Sequence, residues 1–216
     1  MTRRDVLMTA TAGLFGLAAV NEAEAAPATA AETMAGVPFE RTPIVRVGII
    51  GLGGRGGGHL NDLLNIPNVQ IKAVCDLVES RAADAAKRVV AKGQARPEVY
   101  GGSPMAWNAL VKRNDLDIVY IVTPWDWHVP MALGAMENGI HAAVEVPVAT
   151  TLKDCWRIVD TSERTRKHCI ILENCCYGYT ERLVLNLVRA GILGTITHGE
   201  AAYIHNLRNL LLGDGG

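Results

Sequence analysis

The sequence has almost no excess charge and few aromatic side chains. Its 21 Lys and Arg residues are balanced by 22 Asp and Glu residues, and Phe, Trp and Tyr make up 5% of the chain. Nucleic-acid-binding surfaces usually concentrate basic residues, often with aromatic residues among them. We therefore expect no nucleic acid partner. The length of 216 residues, 49% of them hydrophobic, indicates one globular domain and the start of another.

Cysteines are few, and none has the spacing of a zinc ligand. Their number is odd, and adjacent Cys175 and Cys176 could form a disulfide only with unusual backbone geometry. We predict no metal site. We interpret all five as small apolar side chains of the core: Cys75, Cys155, Cys169, Cys175 and Cys176.

The N-terminal region lacks an apolar run long enough for a comfortable membrane span. Its apolar stretch Ala10–Val20 follows Arg3 and Arg4 and precedes Ala23-Glu24-Ala25. This order predicts a twin-arginine signal peptide over residues 1–25, followed by a linker over 26–43. We expect a periplasmic or extracellular protein that has no membrane contact once the signal is removed. The alternative is a cytosolic protein in which the arginine pair precedes a short helix by chance.

The segment VGIIGLGGRGGG, residues 47–58, is the most informative part of the sequence. An apolar run leads into a glycine-rich turn and then a helical pattern, as in a dinucleotide-binding βαβ unit. Glycines permit the tight turn and close approach to a pyrophosphate, and the helix N terminus attracts phosphate. The predicted cofactor contacts in this turn are Gly51, Gly53, Gly54, Arg55 and Gly56.

Apolar strands and helical patterns alternate after the linker. This predicts an α/β fold, a Rossmann-type doubly wound parallel sheet, over residues 44–177. We expect the start of an incomplete, truncated α+β substrate domain over 178–216. Predicted strands are 45–50, 70–75, 98–100, 118–122, 141–145 and 169–172. Predicted helices are 57–65, 80–92, 103–112, 128–138, 152–167 and 180–190.

Polar side chains follow several of these strands, at the sheet edge where ligands bind. Asp76 could accept both hydroxyls of an adenosine ribose and repel a 2′-phosphate, which favours NAD over NADP, although nearby Arg81 complicates that preference. A solvated loop aspartate is the alternative. The other candidates at strand ends are Trp125, Asp126, Trp127, His128, Glu145, Val146 and Asn174.

Two short segments permit more than one interpretation. The tryptophans and His128 either line a cofactor site, or cover the sheet edge while His128 caps a helix. Tyr203 and His205 would share one face of an extended segment. That pair suits sugar binding or acid/base chemistry, but equally an ordinary half-buried tyrosine beside an exposed histidine.

The segments VGIIGLGGRG, AVCD, YIVTPWDWHVPMALGAMENG, AAVEVPVATTLKDCW and HCIILENCCYG together resemble a known family. They are similar to the oxidoreductase superfamily of glucose-fructose oxidoreductase and inositol dehydrogenase. Within it they resemble glycoside hydrolase family 109, the NAD-dependent α-N-acetylgalactosaminidases. The similarity covers residues 44–208, which correspond to the first half of a family member.

The resemblance implies a redox-neutral glycosidase acting on terminal α-linked N-acetylgalactosamine. The sugar would be oxidised at C3, lose its aglycone by elimination, add water and be reduced again. Such a cycle regenerates its own cofactor, which suits an exported enzyme without access to a free nicotinamide pool. The implied NAD contacts are Gly54, Arg55, Asp76, residues 125–128, Glu145, Val146 and Asn174, with Tyr203 at the sugar. Catalytic groups are expected beyond Gly216, so none is assigned here.

One segment departs from the dehydrogenases of the superfamily. They typically carry Glu-Lys-Pro where this sequence has Glu145-Val146-Pro147, so a lysine acid/base is missing. The alternatives to the glycosidase are an exported sugar oxidoreductase with tightly bound NAD(P), and a non-catalytic NAD-binding fragment. The expected partner is a small-molecule glycoside, and formation of a homo-oligomer is left open.

Overall fold

The computed structural model describes residues 33–200, 202 and 204. The predicted signal peptide, part of the linker, Tyr203 and His205 lie outside the described residues. The chain divides into two units, Met1–Phe39 and Glu40–Gly216. In the first, the described residues 33–39 contain a turn at Ala35 and Gly36; the second contains the helices and strands described below.

The central element is a sheet of six parallel strands in the order β3-β2-β1-β4-β5-β6. Strand order reverses between β1 and β4, and ligands of such sheets bind at the carboxyl ends of the strands beside that point. This arrangement confirms the predicted Rossmann-type fold. The strands are β1 Val45–Ile50, β2 Val69–Asp76, β3 Glu98–Gly101, β4 Ile118–Ile121, β5 His141–Val144 and β6 Cys169–Ile171.

Helices connect the strands close to the predicted positions. They are α1 Gly54–Leu63, α2 Glu79–Ala91, α3 Trp107–Val111, α4 His128–Glu137, α5 Leu152–Thr165 and α6 Tyr179–Arg189. The largest error is at α3, which was predicted to begin at Ser103. The Ser103 hydroxyl accepts the N–H of Met105 instead, and its carbonyl accepts that of Ala106, so a turn replaces the first helical residues. Among the described helices, none has the length and apolar character required to span a bilayer.

An apolar layer covers each face of the sheet. On one face, Val47 of β1 belongs to a buried cluster with Leu60 of α1 and Val89 of α2. On the other face, Ile121 of β4 belongs to a cluster with Met136 of α4, and α3 and α5 contribute to the same layer. The continuous apolar runs of the strands are typical of a parallel sheet that is covered on both faces.

The last described helix, α6, has no buried residue. Its apolar side chains Leu183, Val184, Leu185 and Val188 are all exposed. After it, residues 195–200 form neither helix nor strand. The division between a cofactor domain and a substrate domain at residue 177 stays a prediction.

Candidate functional site

Two glycines of the turn after β1 are required by close backbone packing. Gly51 has φ +89°, and a Cβ on it would lie 2.3 Å from the carbonyl oxygen of Val122. A Cβ on Gly56, in the first turn of α1, would lie 1.9 Å from the carbonyl oxygen of Gly51. Real side chains never approach backbone so closely, so these positions need glycine for the turn and for the packing of helix on strand.

Gly53 and Gly54, by contrast, border open space. A Cβ on Gly54 would meet nothing within 4 Å, and one on Gly53 would meet only Arg81, 3.9 Å away. Gly53 is the N-cap of α1 and provides no side-chain cap, so first-turn N–H groups face that space. A cradle bordered by glycines and helix N–H donors fits the pyrophosphate of a dinucleotide.

Asp76 is buried at the end of β2 and is bonded to the glycine turn. Its Oδ2 accepts the N–H of Leu52 at 2.6 Å, and its Oδ1 accepts the N–H of Val78 at 2.8 Å. The carboxylate therefore fixes the turn between β1 and α1 as well as the start of α2. This contradicts the alternative of a solvated loop aspartate, since only 7% of Asp76 is exposed.

Glu145, directly after β5, is held by two side chains of α1. Its Oε1 lies 2.6 Å from Nε of Arg55 and 2.6 Å from Nε2 of His59. Its Oε2 accepts the N–H of Val146 at 3.2 Å. Because both side-chain donors converge on Oε1, Oε2 keeps lone-pair capacity for a ligand hydroxyl.

The environment of Glu145 favours the ionised carboxylate. Burial alone would raise its pKa, but the hydrogen bonds from His59 and Arg55, the Val146 N–H and the positive charge of Arg55 outweigh burial and lower the pKa. Arg55 is half exposed and Glu145 is almost fully buried. The result is a fixed anion at the sheet edge with a cation on its solvent side.

Asn174, after β6, joins the same group, because its Oδ1 accepts a hydrogen bond from Nη2 of Arg55. Arg55 therefore connects the start of α1 to the ends of two strands on the far side of the switch point. Val146 contributes its backbone N–H and no titratable group. The predicted residues Arg55, Glu145 and Asn174 are thus brought together, while their contact with NAD stays a prediction.

The segment after β4 forms a short 3-10 turn, Trp125–Trp127, that leads into α4. Trp125 and Asp126 are exposed, whereas Trp127 packs against the core. His128 is fully buried, with Nε2 2.7 Å from the carbonyl oxygen of Thr123 and Nδ1 2.8 Å from that of Pro147. Both ring nitrogens are therefore used inside the protein, so the His128 side chain does not offer a hydrogen bond to a cofactor.

Sequence reasoning missed His59. It lies four residues after Arg55 on α1, on the same helix face, and its ring also lies 6.0 Å from that of Tyr120. The four-residue spacing of Arg55 and His59 indicates a shared partner only when β5 is known to end beside α1. Tyr203, the predicted sugar contact, lies outside the described residues.

The interpretation of all five cysteines as core residues is wrong. Cys75 is buried, and burial raises the pKa of its thiol to about 12. Cys169 is half-buried, but Cys155, on the solvent side of α5, and Cys175 and Cys176, in the loop after β6, are exposed. Within the described part of the chain, no group of three His, Cys, Asp or Glu residues could hold a metal ion.

A second polar cluster lies at the opposite, amino-terminal edge of the sheet. Asp117 accepts the backbone N–H of Arg46 at 2.7 Å and its Nε at 3.0 Å, and these bonds lower the pKa of Asp117. His141 Nδ1 accepts the N–H of His168 at 2.9 Å, so its proton is on Nε2. His168 is half-buried, and the centre of its ring lies 5.2 Å from that of His141.

Comparison with known proteins places these features in context. Residues 45–172 match the family model described as the oxidoreductase family with an NAD-binding Rossmann fold. A glycosyl hydrolase family 109 protein of Streptomyces filamentosus is 52% identical over 195 residues, which cover 90% of this chain and 40% of the relative. A protein of the same description from Solibacter usitatus is 45% identical, covering 97% of this chain and 47% of the relative. The chain therefore spans less than half the length of these relatives, and the predicted resemblance is confirmed.

Solved structures show the same fold. A scyllo-inositol dehydrogenase of Lactobacillus casei, solved with NAD(H) and scyllo-inositol, aligns with a TM-score of 0.63 at 21% identity, over 71% of this chain and 43% of its own. An NAD-binding protein of Listeria innocua aligns with a TM-score of 0.58 at 25% identity, over 80% of this chain and 50% of its own.

Proposed function

The chain belongs to the oxidoreductase family with an NAD-binding Rossmann fold, and on that premise we propose that it forms the cofactor-binding part of an NAD-dependent glycosidase. The proposed substrate carries terminal α-linked N-acetylgalactosamine, and the proposed cycle is redox-neutral. One observation carries the proposal: Glu145 is fixed at the crevice by Arg55 and His59, and Val146 beside it has no group that could exchange a proton.

The residues present fit NAD. The open space at Gly53 and Gly54, with the N terminus of α1, would hold the pyrophosphate. Asp76 would bind the adenosine ribose, and its negative charge would repel the extra phosphate of NADP. Glu145 and Asn174 would bind the nicotinamide end. When bound, NAD supplies reversible oxidation of a sugar carbon.

Proton transfer in this cycle requires groups other than those at the end of β5. The lowered pKa of Glu145 keeps it ionised, but its Oε1 is already occupied by two donors. Its role is therefore to bind and orient a hydroxyl, which its free Oε2 lone pairs permit. We propose that the acid/base residues correspond to the part of the relatives' length that this chain does not cover.

The second candidate function is a sugar oxidoreductase that keeps its NAD(P) bound. It is favoured by the fold shared with the scyllo-inositol dehydrogenase structure, and it is disfavoured by Val146, which leaves the crevice without an amine. A non-catalytic NAD-binding module is the third. For all three we propose twin-arginine export and a periplasmic or extracellular location, on the arginine pair and apolar run of the first 25 residues.

An assay with two simultaneous readouts separates these functions. The protein from the complete reading frame is purified after cytoplasmic folding and given NAD⁺ and an aryl α-N-acetylgalactosaminide, while aglycone release and NADH absorbance are recorded together. Release without net NADH supports the glycosidase. Accumulation of NADH without release favours the oxidoreductase, and bound NAD without either signal favours the module.

A further inference from the structure

His128 occupies a position with two hydrogen-bond acceptors and no solvent. It is the first residue of α4 and is 0% exposed. Its Nε2 lies 2.7 Å from the carbonyl oxygen of Thr123, and its Nδ1 lies 2.8 Å from the carbonyl oxygen of Pro147. Thr123 follows β4 and Pro147 follows β5, so the ring lies between the two loops that end these neighbouring strands.

A neutral imidazole cannot satisfy this geometry. It has one N–H donor and one lone pair, whereas a backbone carbonyl is only an acceptor. One of the two nitrogens would then direct its lone pair at a carbonyl oxygen at hydrogen-bond distance, at a position that is 0% exposed. We propose that both ring nitrogens are protonated and that His128 is a buried imidazolium that bridges the loops after β4 and β5.

Several effects on the charge of the His128 ring oppose one another. Burial and the positive end of the α4 dipole both disfavour a cation at this position. Two direct carbonyl contacts favour it, because hydrogen bonds from a charged donor are shorter and stronger than neutral ones. The distances of 2.7 and 2.8 Å allow a direct N–H···O hydrogen bond at each ring nitrogen. A neutral ring would instead leave one carbonyl unpaired and facing a lone pair.

The bridge makes His128 a positioning residue rather than a cofactor ligand. Pro147 is two residues after Glu145, and Thr123 is two residues before Trp125. His128 therefore fixes the spacing between the loop that carries the ribose-binding carboxylate and the loop that carries the tryptophans. The positioning role of His128 rests on the proposed function, whereas its protonation state does not.

The direct test is nitrogen NMR of the protein labelled with ¹⁵N-histidine, at pH 7 and without any substitution. We expect both His128 ring nitrogens to show a one-bond coupling to hydrogen. His141 provides a matched control in the same spectrum, because its Nδ1 accepts a hydrogen bond and its pKa is lowered to about 4. His141 should show coupling only at Nε2. The variants His128→Gln and His141→Asn assign the signals.

A His128 spectrum with one unprotonated nitrogen would overturn the proposal. The positioning role has its own test, in which His128→Gln removes the charge and the two-sided contact. We expect its affinity for NAD⁺ to fall roughly tenfold, because the loop that carries Glu145 is no longer held to the loop that carries the tryptophans, and unchanged affinity would contradict that role. If the unsubstituted protein bound no NAD⁺ at all, the proposed function would fail while the NMR result would still decide the protonation of His128.

Discussion

His59 and Glu145 are separated by 86 residues, yet Nε2 of His59 lies 2.6 Å from Oε1 of Glu145. The contact is made because α1 begins at the carboxyl end of β1, two strands away from β5, and its first two turns cross the switch point. Arg55, one helical turn earlier, reaches the same oxygen. A single helix therefore determines the orientation of the carboxylate at the end of β5.

Replacement of His59 tests this relationship. His59→Ala should weaken NAD⁺ binding roughly tenfold, because Glu145 loses one of two donors that orient it, an effect typical of a hydrogen bond to a charged group. His59→Gln retains a donor at the end of a side chain of similar reach and should recover most of the affinity. Titration calorimetry measures both variants, with thermal unfolding as the control for folding. Equal affinity of His59→Ala and the unsubstituted protein would show that Arg55 alone holds Glu145.

The glycines of the turn should divide into two classes. Gly56→Ala should lower the free energy of unfolding by about 3 kcal/mol or more, because the new Cβ would meet the Gly51 backbone. Gly54→Ala is the matched control: its Cβ meets no protein atom within 4 Å, and alanine is favoured in a helix by roughly 0.5–1 kcal/mol.

Gly54→Ala should nevertheless weaken NAD⁺ binding, because the added methyl group enters the space assigned to the pyrophosphate. Denaturant unfolding and NAD⁺ titration of the two variants separate stability from binding. A Gly54→Ala protein with unchanged NAD⁺ affinity would place the phosphates elsewhere.

Asp76 should determine the choice between NAD and NADP. Asp76→Asn keeps one of the two acceptors of the turn and removes the negative charge. NAD⁺ affinity should therefore fall while NADP⁺ affinity rises, bringing the two within roughly tenfold. Asp76→Ala should in addition cost about 1–3 kcal/mol of stability, because the N–H groups of Leu52 and Val78 lose their acceptor. Competitive titration with both nucleotides measures the preference. If Asp76→Asn still binds NAD⁺ far more tightly than NADP⁺, the discrimination comes from another residue.

His141 should make stability depend on pH in the acidic range. Burial first, and then the positive charges of Lys167 and His168, lower its pKa from 6.5 to about 4 in the folded protein. Between these values the unfolded chain binds more protons than the folded one, so the free energy of unfolding should fall as pH drops through that interval. After a discount for partial exposure, the loss is about 1–2 kcal/mol.

His141→Asn retains an acceptor for the His168 N–H and cannot titrate. Its stability should change less than that of the unsubstituted protein between pH 6.5 and about 4, and chemical unfolding at several pH values measures this. Parallel curves for the two proteins would mean that another group causes the acid sensitivity.

The sequence predicted the strands well because the apolar runs of a doubly covered parallel sheet are continuous and bounded by turns. The strand Val45–Ile50 has the bounds that were predicted, and α4 ends within one residue of its predicted end. The start of α3 was missed because a hydroxyl–backbone bond at Ser103 competes with the helix, and no periodicity records that competition.

The site was predictable only in part. Residues that follow parallel strands lie at one edge of the sheet. Arg55, Glu145 and Asn174 could therefore be predicted as site residues from the sequence. The partnership of His59 and Glu145 depends on which helix crosses which strand end. The burial of His128 depends on two loops that approach its ring from opposite sides. Neither the His59–Glu145 contact nor the burial of His128 can be inferred from local sequence, because both depend on the order of the strands in the sheet.

Glycoside cleavage in D₂O by the protein from the complete reading frame tests the redox-neutral cycle most directly. In the redox-neutral cycle the proton on C2 of the sugar leaves during elimination and is replaced from solvent when water adds. The released N-acetylgalactosamine should therefore carry deuterium on C2, as seen by mass spectrometry and proton NMR. Release of sugar with an intact C2 proton would show that the bond is cleaved by direct hydrolysis, and it would contradict the proposed use of NAD.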